Sequence, residues 1–191
     1  MSREEILHAA TELFGEYGYQ ETTIRKIGEV AGVDTKLVHY YFGTKEELFA
    51  TAITEAFRSR GFPEFLTEAS LKGDGSPGER YLGAILSVLE EPGLGVAFVG
   101  LIRNLGTHEE SRQLFLRFIT NEVLGRMGSA LHADNAQVRL TLMGSQVLGL
   151  VMARYVVKVE PLASLPAREV ARIVGPTLDR YLLGDIGVVG D

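Results

Sequence analysis

The spacing of apolar residues constrains the fold of this 191-residue chain more than any other feature. In nearly every segment these residues recur at intervals of three and four, as on one face of an α-helix, and almost none alternates as a strand does. The first segment shows the spacing at Ile6, Ala9, Leu13 and Tyr17, and Gly18 ends it. The sequence therefore predicts an all-α protein.

Two short helices joined by a tight turn are predicted between residues 22 and 43. Either Thr22 or Thr23 can cap the first helix, and Asp34 is a good N-cap for the second. Between them Gly32 can take the left-handed conformation that a tight turn needs, and Gly43 ends the second helix. Two short helices joined in this way form a helix-turn-helix.

The helical pattern continues to the end of the chain. Thr44 with Glu47, and Thr107 with Glu110, have the spacing of capping boxes, in which two side chains cap the first turn reciprocally. Further helices are predicted from residue 44 to about 60 and over residues 79–89, 94–105, 107–131, 134–159 and 166–183. The composition changes near residue 60, where Gly and Pro interrupt the pattern.

Charge points to a small, local basic surface. The net charge of −6 argues mildly against a nucleic-acid partner, because phosphate binding depends on lysine and arginine. Residues 22–45, however, carry two more positive than negative charges. The charged residues of this segment are Arg25, Lys26, Lys36 and Lys45 against Glu29 and Asp34.

The second helix of the motif divides into an inner and an outer face. Val33, Leu37 and Val38 supply the inner face. The outer face receives Thr35, Lys36, His39 and Tyr40, which are able to bond bases or phosphates in a major groove. Lys45 lies in the first turn of the next helix, where the helix dipole disfavours a cation, and a phosphate partner would explain it.

The segment TTIRKIGEVAGVDTKLVHYYFGTKEELF resembles the DNA-binding signature of the TetR family of transcriptional regulators. The resemblance covers about the first fifty residues. It implies an N-terminal three-helix DNA-binding domain over residues 1–50 and a helical effector-binding and dimerisation domain over residues 51–191. The candidate DNA-binding residues are Thr23, Arg25, Thr35, Lys36, His39, Tyr40, Tyr41 and Lys45.

The same resemblance implies a ligand-responsive repressor that binds palindromic operator DNA as a homodimer. Small residues recur every fourth position on the last two predicted helices, and the implied dimer interface comprises Ser145, Gly149, Ala153, Ala167, Ala171 and Gly175. These residues could equally pack within one chain. The implied pocket for a small, largely apolar effector comprises Phe65, Leu86, Phe98, Ile102, Arg103, Phe118 and Gln146, although ordinary core packing suits each apolar member as well.

Other functions fit the sequence less well. No phosphate-cradling loop, metal-binding histidine pair or nucleophile elbow is present, so we expect neither an enzyme nor a metal or cofactor site. The longest uncharged apolar stretch, residues 140–153, is too short to cross a bilayer, and no cysteine occurs, which favours a reducing cytoplasm. The alternative to a regulator is an all-helical protein-interaction module that does not bind DNA.

Overall fold

The computed structural model describes residues 3–60, 76–131 and 133–187. Within these residues the secondary structure is helical and no strand occurs, which confirms the all-α prediction. The helices are α1 (Arg3–Glu21), α2 (Ile24–Ala31), α3 (Thr35–Phe42), α4 (Lys45–Arg58), α5 (Pro77–Leu89), α6 (Leu94–Arg103), α7 (Glu109–Phe118), α8 (Ala136–Val151) and α9 (Ala167–Leu183).

Two of these helices continue as π-helix. Helix α7 runs on through Ile119–Met127 and ends with the short turn Gly128–Ala130, and α8 runs on through Met152–Val157. Helix α1 is broken near its end, because Gly18 has φ 76° and ψ 175°. The end of the first apolar pattern at Gly18 is therefore visible in the backbone, although hydrogen bonding resumes up to Glu21.

The chain forms two compact units. The first comprises Met1–Ala56 with Val88–Phe115, and the second comprises Phe57–Ser87 with Leu116–Asp191. The first unit thus combines α1, α2, α3 and most of α4 with α6 and the start of α7, and its core contains three aromatic rings that pack together. Phe14 meets Phe49 edge to face at 4.8 Å between ring centroids, and Tyr19 lies 5.0 Å from Phe49.

In the second unit, an aspartate of α9 caps the start of α5. Asp179 accepts hydrogen bonds from the hydroxyl of Ser76 and from the backbone N–H of Gly78, the latter at 2.7 Å. The Ser76 hydroxyl oxygen also accepts from the N–H of Glu79 at 3.0 Å. The close approach depends on Gly175, since a Cβ there would lie 2.6 Å from the Cα of Glu79.

Helix α8 of the second unit is long and largely apolar. Together with its π segment, the range Ala136–Val157 is long and apolar enough to cross a membrane by length and composition, and only 22% of its most apolar window is buried. The helix is thus longer than residues 140–153, the uncharged stretch that is by itself too short to cross a bilayer. Arg139 anchors it to α9 by donating to the carbonyls of Tyr181 and Gly184 at 2.9 and 2.8 Å.

Candidate nucleic-acid interface

The turn between α2 and α3 forms as the sequence predicts. The Thr23 hydroxyl oxygen accepts from the Lys26 N–H at 3.2 Å, and Asp34 accepts from the Lys36 N–H at 2.7 Å. Gly32 has φ 66° and ψ 34°, a left-handed conformation that suits glycine. These local hydrogen bonds fix the start of α3 relative to α2.

Helix α3 presents one face to the core and another to solvent. Val38 and Phe42 are buried, while Lys36 and His39 are exposed. Tyr40 keeps 80% of its surface exposed and Tyr41 keeps 38%. The exposure places the Tyr40 ring on the solvent face of α3, beside Lys36 and His39.

The tyrosine pair on this face is held by its own packing. The rings of Tyr40 and Tyr41 meet edge to face with centroids 5.3 Å apart. Tyr41 also lies 6.5 Å from the buried ring of Phe42. Tyr41 therefore connects the exposed ring to the core, and Tyr40 is the aromatic group that is free to reach a partner.

His39 has one ring nitrogen engaged within the motif. Its Nδ1 lies 2.7 Å from the carbonyl oxygen of Gly43, which makes Nδ1 the donor in that hydrogen bond. In the neutral imidazole Nε2 is then an acceptor, and it suits a base amino group better than a phosphate oxygen.

The remaining predicted contacts are less open. Arg25 is exposed but forms an ion pair of 2.9 Å with Glu29, one helical turn away. Thr23 is exposed while its hydroxyl oxygen caps α2, and Thr35 is half-buried. A phosphate contact by Arg25 would therefore compete with Glu29.

Lys45 makes contacts within the chain that the sequence did not reveal. Its ammonium group donates to the carbonyl oxygen of Tyr19 at 3.2 Å and lies 4.2 Å from the centroid of the Tyr19 ring. The Thr44 and Glu47 capping box forms around it, with bonds of 2.8 and 3.2 Å. The first turn of α4 is thus satisfied without the lysine.

The second predicted capping box does not form. Glu110 accepts instead from the Tyr19 hydroxyl at 2.9 Å, and Glu46 accepts from the same hydroxyl at 3.0 Å. Burial first, then the bonds to Glu110 and Glu46, raise the pKa of the Tyr19 hydroxyl. Burial opposes the charged form of Glu46, but hydrogen bonds, first from its own backbone N–H, hold the pKa of that carboxyl below its ordinary value. No spacing in the sequence signals this cluster.

The predicted effector residues fall into both units. Phe98, Ile102 and Arg103 belong to the first unit, where the two apolar residues are buried and Arg103 is exposed. In the second unit Leu86 and Phe118 are buried and Gln146 is exposed. Phe65 lies outside the described residues.

The small residues of α8 and α9 differ in exposure. Ser145 and Gly149 on α8 are exposed, and a Cβ at Gly149 would meet nothing within 4 Å. Ala153 and Ala167 are half-buried. Ala171 and Gly175 on α9 are buried against α5 of the same chain, since a Cβ added at Gly83 would lie 3.9 Å from the Ala171 Cβ and one added at Gly175 would lie 2.6 Å from the Cα of Glu79.

Comparison with protein families decides the identity of the two regions. Residues 6–52 match the family described as bacterial regulatory proteins, tetR family, and residues 76–182 match the tetracyclin repressor-like C-terminal domain. The chain belongs to the TetR family. It is a helix-turn-helix transcriptional regulator, as the resemblance implied, and not an enzyme.

Individual curated relatives match over part of the chain only. The chain is 48% identical over 46 residues to the regulator HbdR of Aromatoleum sp. (strain CIB), which is 24% of this chain and 20% of HbdR. It is 32% identical over 88 residues to the regulator BetI of Brucella canis, which is 46% of this chain and 42% of BetI. The chain thus spans less than half of the length of these relatives.

Solved structures match over nearly the whole chain. A TetR-family regulator from Streptomyces coelicolor A3 is 32% identical, with a TM-score of 0.62 over 94% of this chain and 93% of that chain. The multidrug binding protein EbrR, solved with imidazole, is 16% identical, with a TM-score of 0.60 over 97% of this chain and 92% of that chain. The likeness to EbrR concerns the fold alone.

Proposed function

We propose that this TetR-family protein is a ligand-responsive repressor that binds palindromic operator DNA as a homodimer in the cytoplasm. The observation that carries the proposal is the exposed face of α3, on which Lys36, His39 and Tyr40 stand out from a helix whose other face is buried. In a helix-turn-helix this helix enters the major groove.

The DNA contacts divide by chemistry. Lys36 and Lys45 supply the cations for phosphate, whereas Tyr40 and the Nε2 of His39 are suited to base edges. We place four further residues at the edge of the DNA-binding surface: Tyr41, Thr23, Thr35 and Arg25. We assign them supporting contacts with the DNA backbone.

The homodimer follows from the single reading helix in each chain, because a two-fold symmetric operator needs two of them. The surface that supports the homodimer is that of α8, most of which is exposed. An exposed apolar helix face of this kind is stabilised when a partner surface covers it. We place Ser145, Gly149 and the exposed Ile173 of α9 in this interface. Ala153 and Ala167 flank it, and Ala171 and Gly175 support it from within the chain.

The effector is a small, largely apolar molecule bound among the helices of residues 51–191. The match of residues 76–182 to the C-terminal family domain supports this assignment. EbrR, which shares the fold, has been solved with imidazole and with proflavin. A ligand of this kind lowers operator affinity if it prefers the released conformation of the dimer.

Selection from a pool of random DNA duplexes tests the proposal. The full-length protein should enrich palindromes whose half-sites lie about one helical turn apart, or a multiple of it. Enrichment of a sequence without two-fold symmetry would contradict the homodimer. A pool that returns unenriched would contradict DNA reading and would favour a protein-interaction module.

A further inference from the structure

A cavity of about 370 Å³ lies between the C-terminal part of α1 and helix α6, entirely within the first unit. Its volume falls in the range of sites for small molecules, which begins at about 300 Å³. None of the described residues assigned above to the effector pocket lines it. The cavity is therefore a distinct candidate site on the unit that carries the reading helix.

Glycines keep this cavity open. At one end α1 and the residue before α6 touch through their backbones, since a Cβ at Gly15 would lie 2.7 Å from the Cα of Gly93. Further along, a Cβ at Gly18 or at Gly100 would meet nothing within 4 Å. Two glycines thus face empty space where side chains would otherwise fill the gap between the helices, and the gap suits a flat molecule.

A serine hydroxyl lines the cavity without a hydrogen bond. Ser111 is 2% exposed as a residue, and no hydrogen bond of its hydroxyl occurs among the described residues. Its oxygen is not among the buried atoms that lack a partner, so it is accessible to a molecule in the cavity. The side-chain amides of Asn104 and Gln20 also line the cavity, and each can both donate and accept. The polar groups therefore suit a ligand that carries a donor and an acceptor together.

The walls set the remaining chemistry of the ligand. Val96 and Tyr17 line the cavity while 65% and 42% exposed, so apolar surface is available to a ring. The charged residue of the lining is Glu16. Two more carboxylates bond the Tyr19 hydroxyl, and two ammonium groups rest on the Tyr17 and Tyr19 rings, but none of these four groups lines the cavity. The charge in the lining itself is thus negative, which disfavours an anion.

We propose that this cavity binds a small planar aromatic molecule that is neutral or cationic and ends in an amide or amidine. The ring lies between Gly18 and Gly100, and the polar end bonds Ser111. Tyr19 lines the same cavity and holds Lys45, so the bound molecule also acts on the DNA-binding surface. The binding itself is independent of the function proposed above.

Three probes of equal shape test the site: 2-naphthamide, 2-naphthamidine and 2-naphthoate, which differ in charge at one end. The full-length protein is titrated with each while backbone amide shifts are followed by NMR. Saturable shifts at Gly18, Ala97 and Gly100 are expected with the amide and the amidine. The naphthoate should bind at least tenfold more weakly, and Ser111→Ala should weaken the amide at least threefold.

A matched pair of glycine variants locates the binding. Gly100→Leu fills the gap and should weaken the binding of the amide and of the amidine at least tenfold. If the leucine prevents folding, Gly100→Ala is used instead; it fills part of the gap and should weaken the binding of both ligands to a smaller extent. Gly106→Leu is the control, because Gly106 also faces open space but does not line the cavity.

Three results would overturn the site: naphthoate binding as tight as that of the amide, unchanged affinity in both Gly100 variants, or the absence of saturable shifts at Gly18, Ala97 and Gly100 at millimolar ligand. DNA selection with the wild-type protein reports separately on the function proposed above. Failure of one experiment is thus distinguishable from failure of the other.

Discussion

The ammonium group of Lys45 lies 4.2 Å from the centroid of the Tyr19 ring and donates a hydrogen bond of 3.2 Å to the Tyr19 carbonyl oxygen. A cation held against an aromatic face at a partly exposed site contributes about 0.5 to 1 kcal/mol. The contact restricts the position of the Lys45 ammonium group but does not neutralise its charge, so the group can still bind a phosphate.

The first prediction concerns this lysine. Lys45→Ala should weaken binding to the selected operator and to unrelated duplexes by a similar factor, because phosphate contacts carry no sequence information. The slope of log affinity against log salt should fall in magnitude by about 0.9. Arg168→Ala removes one positive charge from an exposed position in α9 and should leave the slope unchanged. A changed base preference at one position would show that Lys45 reads a base instead.

The second prediction concerns acid stability. Because hydrogen bonds hold the pKa of Glu46 below its ordinary value of 4.5, this group contributes stability in full above that pH. The contribution is lost as the pH falls from 4.5 through the folded-state pKa. Urea unfolding between about pH 6 and pH 3 should therefore show a shallower loss of stability in Glu46→Gln than in the wild type. An equal or steeper loss in the variant would be inconsistent with this sign.

The third prediction concerns the cap that joins α9 to α5. Asp179→Ala removes the acceptor for Ser76 and Gly78 and should lower the free energy of unfolding by about 1 to 2 kcal/mol. Asp179→Asn keeps an acceptor oxygen and should lose less. Chemical denaturation of both variants measures the difference. Equal stability of the alanine variant and the wild type would mean that the cap contributes nothing.

The fourth prediction separates the dimer interface from packing inside the chain. Gly149→Leu adds bulk to an exposed position, and overpacking at a close crossing typically costs about 1 to 3 kcal/mol at each of two symmetric sites. The dimer should dissociate at least tenfold more readily in sedimentation experiments. Ala171→Leu instead crowds Gly83 within the chain, so it should lower the thermal stability of the protein even under conditions where the dimer does not form. A wild-type monomer at micromolar concentration would contradict the homodimer.

Much of the helix-turn-helix could be predicted from the sequence because its decisive hydrogen bonds are local. The caps at Thr23, Asp34 and Thr44 join groups two or three residues apart, and the turn at Gly32 depends on the backbone of one residue. Local sequence spacing reports such contacts directly. The all-α fold followed from the same kind of local pattern.

Contacts between distant parts of the chain could not be predicted in this way. The spacing of Thr107 and Glu110 favoured a capping box, but the Glu110 carboxylate lies closer to the hydroxyl of Tyr19, 91 residues earlier. Asp179 similarly caps the start of α5 through Gly78, 101 residues earlier in the chain, and no local spacing indicates this contact. Both outcomes depend on which helices pack together, which the periodicity of a single helix does not encode.

The central claim is that the exposed face of α3 reads the operator. The most direct test measures the ratio of affinities for the selected operator and a scrambled duplex, at one salt concentration, for the wild type and the Lys36→Ala, Tyr40→Ala double variant. Both side chains are exposed, so thermal stability should be unchanged. Since one good base contact is worth about 1 to 3 kcal/mol of discrimination, the ratio should fall at least fivefold. An unchanged ratio in a folded variant would contradict the claim.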